Sequence, residues 1–112
     1  MSFKLVISDT VTVPVKGTIP NAAGAPQAFS YSLVCERLKA DTLRAMMDAN
    51  ERTVPEFLAG VVSDWAGVLD DDGQPLPFNH DGLAALFNIV GMAGVAFAAY
   101  LEACGARGKE KN

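Results

Sequence analysis

Residues 29–35 read FSYSLVC, in which the apolar Phe, Tyr, Leu and Cys side chains occupy every second position. Alternation with a period of two is typical of a β-strand with one buried face. The valines of VTVPV, residues 11–15, repeat the alternation and predict a partner strand over residues 3–15. The two segments therefore predict a β-hairpin at the start of the chain.

The connection between these strands, residues 17–27 (GTIPNAAGAPQ), is rich in Gly, Pro and Ala and has no apolar period. We expect it to form a long, mobile loop at the tip of the hairpin. Pro14 cannot donate a backbone hydrogen bond to a neighbouring strand. It therefore favours an edge position for the first strand.

Helical spacing replaces the alternation after residue 37. Residues 39–51 predict a first helix, in which Leu43, Met46 and Met47 share a face. Thr53 and Glu56 have the spacing of a capping box, with a proline tolerated in the first turn. We expect this second helix to end before Gly67 and to carry one apolar stripe, made of Phe57, Leu58, Val61, Val62 and Trp65.

Two more helices are predicted after a loop over residues 67–78. Asn79 is a good N-cap, and we expect the helix that follows to have a buried face made of Leu83, Leu86, Phe87 and Val90. Gly91 and Gly94 are expected to break or kink the chain. A last helix is then predicted from about Met92 to Cys104, ending at Gly105.

The predicted fold class is α+β, with an N-terminal β-hairpin and long loop followed by about four α-helices. A chain of 112 residues supports one modest core, so we expect a single domain over residues 1–112. Within it, residues 1–37 are the hairpin region, residues 38–105 the helical region and residues 106–112 a charged tail.

The composition disfavours several functions. A net charge of −4 and a pI near 4.7 disfavour binding to phosphate backbones, so no nucleic-acid partner is expected. Cys35 and Cys104 match no metal-binding spacing, and no secretory signal opens the chain, so reduced thiols in a cytoplasm are the default expectation.

No segment has the pattern of a catalytic, cofactor or metal site, and we predict a non-enzymatic protein. The DDDG segment, residues 70–73, lacks the alternate acidic positions of an EF-hand and is typical of a solvated turn. His80 is the single histidine, at a helix start and without a visible nucleophile. The glycines at 91 and 94 lack the lysine of a phosphate-binding loop.

Residues 83–101 form a run of nineteen residues without a charge. Its length is that of a transmembrane span, but its alanines, Asn88 and Gly91 favour two helices folded back or kinked at Gly91. The last helix is apolar nearly all round, so it is either the central core helix or partly covered by another chain. The candidate partner-binding residues are Met92, Val95, Phe97, Tyr100 and Leu101.

One run of residues carries a resemblance to a known family. It consists of WAGV at residues 65–68, DGQPLPFN at residues 72–79, an Ala- and Leu-rich helical pair with AYLEA at residues 99–103, and a C-terminal Lys-Asn. The run resembles the tail assembly chaperones of siphovirus-type, long-tailed bacteriophages and prophages. The residues of this run that we expect to have a structural role, and not to contact a partner, are Trp65, Gly67, Gly73, Pro77, Phe78 and Asn79.

The resemblance covers a little under half of the chain and departs from the family pattern at two places. Lys39 stands where a helix cap is expected, and Gly82 stands where an acidic residue would complete a capping box after Asn79. Both departures weaken helix starts and leave the loop that carries the resemblance unchanged.

The resemblance implies a chaperone that binds the tape measure protein in the host cytoplasm and helps to bring tail tube subunits to it. Such a chaperone is absent from the finished tail and often has a longer form made by ribosomal frameshifting. The sequence does not decide whether the chain forms a homo-oligomer. The last helix is the expected contact, with Trp65 and Phe78 supporting it from the core side. The alternatives are a holin-like membrane protein with one C-terminal span and a structural tail component that stays in the virion.

Overall fold

The computed structural model describes residue 5, residues 8–48 and residues 52–106. The chain forms strands β1 and β2, helices α1 and α2, strand β3, and helices α3 and α4. The strands form one antiparallel sheet in the order β1-β2-β3, which confirms the α+β class and the edge position of the first strand.

The hairpin is longer, and its tip shorter, than predicted. Strand β1 (Thr10–Pro20) pairs with β2 (Pro26–Glu36) along its whole length. The Asn21 side chain closes the five-residue tip by accepting hydrogen bonds from the amides of Ala23 and Ala25. The prediction of a long loop over residues 17–27 was wrong, because backbone pairing continues where the apolar period stops. At the other end, Phe3 lies outside the described residues, and the strand begins at Thr10.

A third strand replaces the predicted end of the second helix. Helix α2 (Val54–Val61) begins at the predicted capping box, and β3 (Val62–Ala66) follows it directly. The five residues of the predicted apolar stripe are buried, but the last two, Val62 and Trp65, belong to strand β3 and not to a helix. Helical spacing could not predict the third strand, because β3 forms by pairing with the free edge of β2, where Leu33 lies opposite Trp65.

The other three helices follow the predictions more closely. Helix α1 (Ala40–Asp48) is formed, and the predicted continuation over residues 49–51 lies outside the described residues. Helix α3 (His80–Phe87) starts at the Asn79 cap, whose Oδ1 accepts a 2.6 Å hydrogen bond from the Gly82 amide. Helix α4 (Met92–Cys104) has the predicted ends.

Only one of the two predicted glycine breaks is present. Gly91 has a φ of +83° and separates α3 from α4, whereas Gly94 continues α4. The chain leaves α3 three residues before Gly91, so Val90 projects from the connection with 99 % of its surface exposed. The prediction that Val90 lies on a buried face was therefore wrong.

The described core lies between one face of the sheet and helices α2, α3 and α4. At its centre the Phe57 ring makes edge-to-face contacts with Phe97 and Tyr100, with ring centroids 5.6 and 5.7 Å apart. The Tyr100 hydroxyl donates a 2.8 Å hydrogen bond to the Glu36 carbonyl, and Arg37 Nη1 donates a 3.2 Å bond to the Cys104 carbonyl. These bonds fix the last two turns of α4 to the end of β2.

Candidate partner-binding surface

Helix α4 has one face in the core and one on the surface. Its buried residues are Met92, Ala93, Ala96 and Tyr100. Of the five predicted partner-binding residues, the structure therefore places Met92 and Tyr100 in the core and Phe97, partly buried, against Phe57. Val95 and Leu101 are each 40 % exposed. A partner would meet the helix through these two residues.

The exposed side of α4 carries small and apolar side chains along most of its length, and the exposed Glu102 lies on the same side in the last turn. We define the α4 face as Gly94, Val95, Ala98 and Leu101, all of which are exposed. Their spacing places them on one side of a helix and gives a stripe about 10 Å long, at about 1.5 Å of rise per residue. Gly94 and Ala98 have small side chains, which allow the backbone of a partner helix to approach closely.

The connection between α3 and α4 extends this apolar surface. Ile89 and Val90 are 37 % and 99 % exposed. They lie with Val95 around a depression of about 130 Å³, whose far wall is formed by Ile19 and Phe29 of the hairpin. We define Ile89, Val90, Ile19 and Phe29 as the corner patch. Sequence reasoning missed it because Val90 was assigned to the core and Ile19 to a mobile loop.

The loop after β3 is built around the Trp65 ring. Its Nε1 donates a 2.7 Å hydrogen bond to the Leu76 carbonyl, and the Phe78 ring packs edge-on against it at a centroid distance of 5.2 Å. Gly67, with a φ of +87°, packs closely against β2, because an added Cβ would lie 3.3 Å from the Tyr31 Cα. These positions hold the loop against the sheet, and Pro77 follows them immediately before Phe78.

The acidic part of that loop is a hydrogen-bonded turn. Asp70 Oδ1 accepts bonds of 2.9 Å from the amides of both Asp72 and Gln74, and Leu69 forms an isolated bridge with Pro75. Gly73 has a φ of +77°, as such a turn requires. Within residues 8–48 and 52–106, no group of three or more His, Cys, Asp or Glu side chains is placed to hold a metal ion.

The thiol and imidazole groups have structural surroundings. Burial, and secondarily the nearby Cys104, raises the pKa of the Cys35 thiol to about 12, which keeps it protonated and unreactive at neutral pH. Burial likewise raises the pKa of Tyr100. The His80 ring packs against Phe78, with centroids 5.7 Å apart.

No single helix in the described part of the chain is long and apolar enough to cross a membrane. Helices α3 and α4 reach the necessary length and hydropathy only as a pair, and the chain bends by 106° between them.

Comparisons with known proteins gave no match to a protein-family model, to a curated protein or to a solved structure.

Proposed function

We propose that this chain is a tail assembly chaperone of a long-tailed bacteriophage or prophage. It binds the tape measure protein in the bacterial cytoplasm, assists assembly of the tail tube around it, and performs no catalysis. The observation that carries the proposal is the α4 face, an exposed apolar stripe on a helix whose other side is fixed in the core. The ordered motif from Trp65 to Asn79 supports the choice of family.

A stripe of this shape suits packing against another helix. The small side chains of Gly94 and Ala98 leave room for a partner backbone, and Val95 and Leu101 supply the apolar contact on either side. A tape measure protein presents long apolar helices that need such cover before tube subunits arrive. The corner patch adjoins the same stripe and enlarges the apolar area available to a partner.

The position of the tryptophan loop agrees with a supporting role. Trp65 is 7 % exposed and is fixed through its Nε1 hydrogen bond to the Leu76 carbonyl. Phe78 packs on the Trp65 ring immediately before the Asn79 cap of α3. The loop thus leads directly into the capped start of α3.

Co-expression with the tape measure protein from the same tail gene cluster tests the proposal. We expect the tape measure protein to appear in the soluble fraction in complex with this chain and to be insoluble when expressed alone. A tape measure protein that stays insoluble in both cases would contradict the chaperone function. Purified particles, analysed by mass spectrometry, should lack this chain.

A structural tail component is the second candidate, and the length of the hairpin favours it. Two paired eleven-residue strands extend over about 36 Å, at roughly 3.3 Å per residue, and expose their far end. A hairpin of this length could join a neighbouring subunit in a tube. Finding this chain in purified particles at a stoichiometric level would favour this candidate over the chaperone.

A holin-like membrane protein is the third candidate, and the apolar composition of the α3–α4 pair favours it. Against it, the 106° bend leaves neither helix long enough to cross a bilayer alone. Fractionation of expressing cells separates the two possibilities, since a membrane protein would require detergent for extraction.

A further inference from the structure

A second apolar depression lies between α2 and α3, and none of the four residues of the α4 face lines it. It has a volume of about 300 Å³. Ala59 of α2 and Ala84 of α3 contribute its small side chains, and Phe87, 7 % exposed, contributes an aromatic ring from the core. The remaining lining residues are Pro55, Glu56, His80 and Asn88. We call this depression the α2–α3 groove.

The shape of the α2–α3 groove matches the surface of a helix. Pro55 and Ala59 are four residues apart on α2, and His80, Ala84 and Asn88 repeat that spacing along α3. Residues at this spacing form the ridges between which the side chains of a third helix can pack. The side chains of Ala59 and Ala84 are short, so the backbone of a partner helix can approach the groove closely.

The segment of the chain that contains α2 and α3 is acidic. No Lys or Arg occurs between residues 53 and 106, whereas this segment contains Glu56, Asp64, Asp70, Asp71, Asp72, Asp81 and Glu102. Glu56 lines the groove. Asp81 is outside the lining, but it is exposed and lies three residues before the lining residue Ala84 on α3, which places it on the flank of the groove. Hydrogen bonds from Thr53 lower the pKa of Glu56, so this carboxylate is ionised at neutral pH.

One cation lies beside α2. Arg52 Nη1 would be 3.9 Å from a Cβ added at Gly60, and the charge of Arg52 contributes to the lowered pKa of Glu56. Arg52 is outside the groove lining and offsets one of the two carboxylates. The groove region therefore combines an apolar floor with a net negative rim.

We propose that the α2–α3 groove binds the apolar stripe of a basic amphipathic helix, whose Lys or Arg side chains face Glu56 and Asp81. The inference rests on the proposed function, because it assigns the chemistry of a helical segment in the partner. The apolar lining of the groove favours contact with the Leu or Ala side of such a helix. The carboxylates of Glu56 and Asp81 disfavour a helix that carries acidic side chains.

A pair of model peptides tests this assignment. The probes are an 18-residue amphipathic helix of leucine, alanine and lysine, and the same peptide with glutamate in place of every lysine. Fluorescence anisotropy with the full chain should show binding of the lysine peptide about tenfold tighter than that of the glutamate peptide. The difference should shrink as salt is added, because these charges are exposed. Equal affinities at low salt would overturn the proposal.

Variants locate the binding site. Ala84→Arg places a bulky cation in the groove and should weaken binding of the lysine peptide at least about tenfold. Ala45→Arg on α1 adds the same charge on an exposed surface and should leave binding unchanged. Ala59→Arg tests the opposite wall if the first variant fails to fold, as judged by circular dichroism. Binding that survives substitution at the groove but is lost in Ala98→Arg would place the peptide on the α4 face and overturn the proposal.

Two further outcomes separate this inference from the proposed function. If the wild-type chain keeps the tape measure protein soluble and Ala84→Arg does so equally well, the function stands and the groove assignment fails. If the groove variant instead changes the sedimentation coefficient of the free chain, a second copy occupies the groove, and the assignment to a partner helix is also overturned.

Discussion

Gly82 shows how one missing Cβ positions the tryptophan loop. A Cβ at this position would lie 2.9 Å from Trp65 Cη2 and 3.2 Å from Asn79 Oδ1. The Trp65 ring has little freedom to retreat, since it is buried and its Nε1 is bonded to the Leu76 carbonyl. Gly82 cannot complete a capping box with Asn79, and the sequence therefore predicts a weaker helix start. Its missing side chain, however, allows α3 to approach the Trp65 ring closely.

Gly82→Ala should lower the free energy of unfolding by about 1–2 kcal/mol, because overpacking outweighs the gain in helix propensity. Gly60→Ala is the matched control in α2, where the added Cβ meets Arg52 Nη1 at an ordinary 3.9 Å. That change should raise the free energy of unfolding by roughly 0.5–1 kcal/mol. Urea unfolding followed by Trp65 fluorescence measures both, and equal effects of the two substitutions would refute the packing argument.

Glu56 gives the stability of α2 a pH dependence. The Thr53 amide donates a 2.8 Å hydrogen bond to Glu56 Oε1, and this bond is the main reason that the pKa of the carboxyl lies below its usual 4.5. A pKa that is lower in the folded chain means that the contribution is complete above 4.5. It is lost as the pH falls through the folded-state value.

Glu56→Gln should therefore have a lower thermal unfolding midpoint than the wild type at pH 7, and the gap should close as the pH is lowered below 4.5. Thermal unfolding between pH 7 and pH 3 tests this prediction. A gap that stays constant across that range would show that the carboxylate charge at position 56 contributes nothing.

At the scale of the elements, the predictions succeeded where local chemistry decides the structure. The Thr53–Glu56 capping box, the Asn79 cap and the ends of α4 follow from short-range hydrogen bonds and glycine placement. The strand β3 could not be predicted, because Val62 and Trp65 fit an apolar helical stripe equally well and their pairing with β2 is a tertiary contact.

The candidate surface was predictable only in part, for the same reason. The apolar composition of α4 shows that one side of the helix faces another element. Which side that is depends on the packing of Tyr100 and Phe97 against Phe57 in the folded chain. Val90 was assigned to the core because helical spacing runs past residue 87, whereas the chain leaves the helix there.

The junction between α3 and α4 depends on the backbone conformation of Gly91. Its φ of +83° belongs to the left-handed region, and an added Cβ would meet no atom within 4 Å. Gly91→Ala should thus cost about 1–2 kcal/mol through backbone strain alone. Gly94→Ala, inside α4 and equally open, should stabilise the fold by roughly 0.5–1 kcal/mol. Chemical denaturation of the two variants checks this, and a neutral Gly91→Ala would contradict the assigned junction.

At the scale of the whole molecule, the sheet and the α2–α3 pair act as a support that holds α4 with one apolar side outward. Tyr100 and Arg37 tie the end of α4 to the end of β2, while the Gly91 junction sets where the helix starts. An apolar stripe on a helix held at both ends is ordered before a partner arrives, which reduces the entropy lost on binding.

Co-expression of the tape measure protein with a chain that carries Val95→Glu and Leu101→Glu tests whether the α4 face is the partner-binding surface. Both side chains are exposed, so circular dichroism should remain that of the wild type. Thr12→Glu, on the outer face of β1, is the control for added negative charge. We predict a soluble complex with the wild type and with the control, and an insoluble tape measure protein with the double variant. A soluble complex with a correctly folded double variant would contradict the assignment of the α4 face as the partner-binding surface.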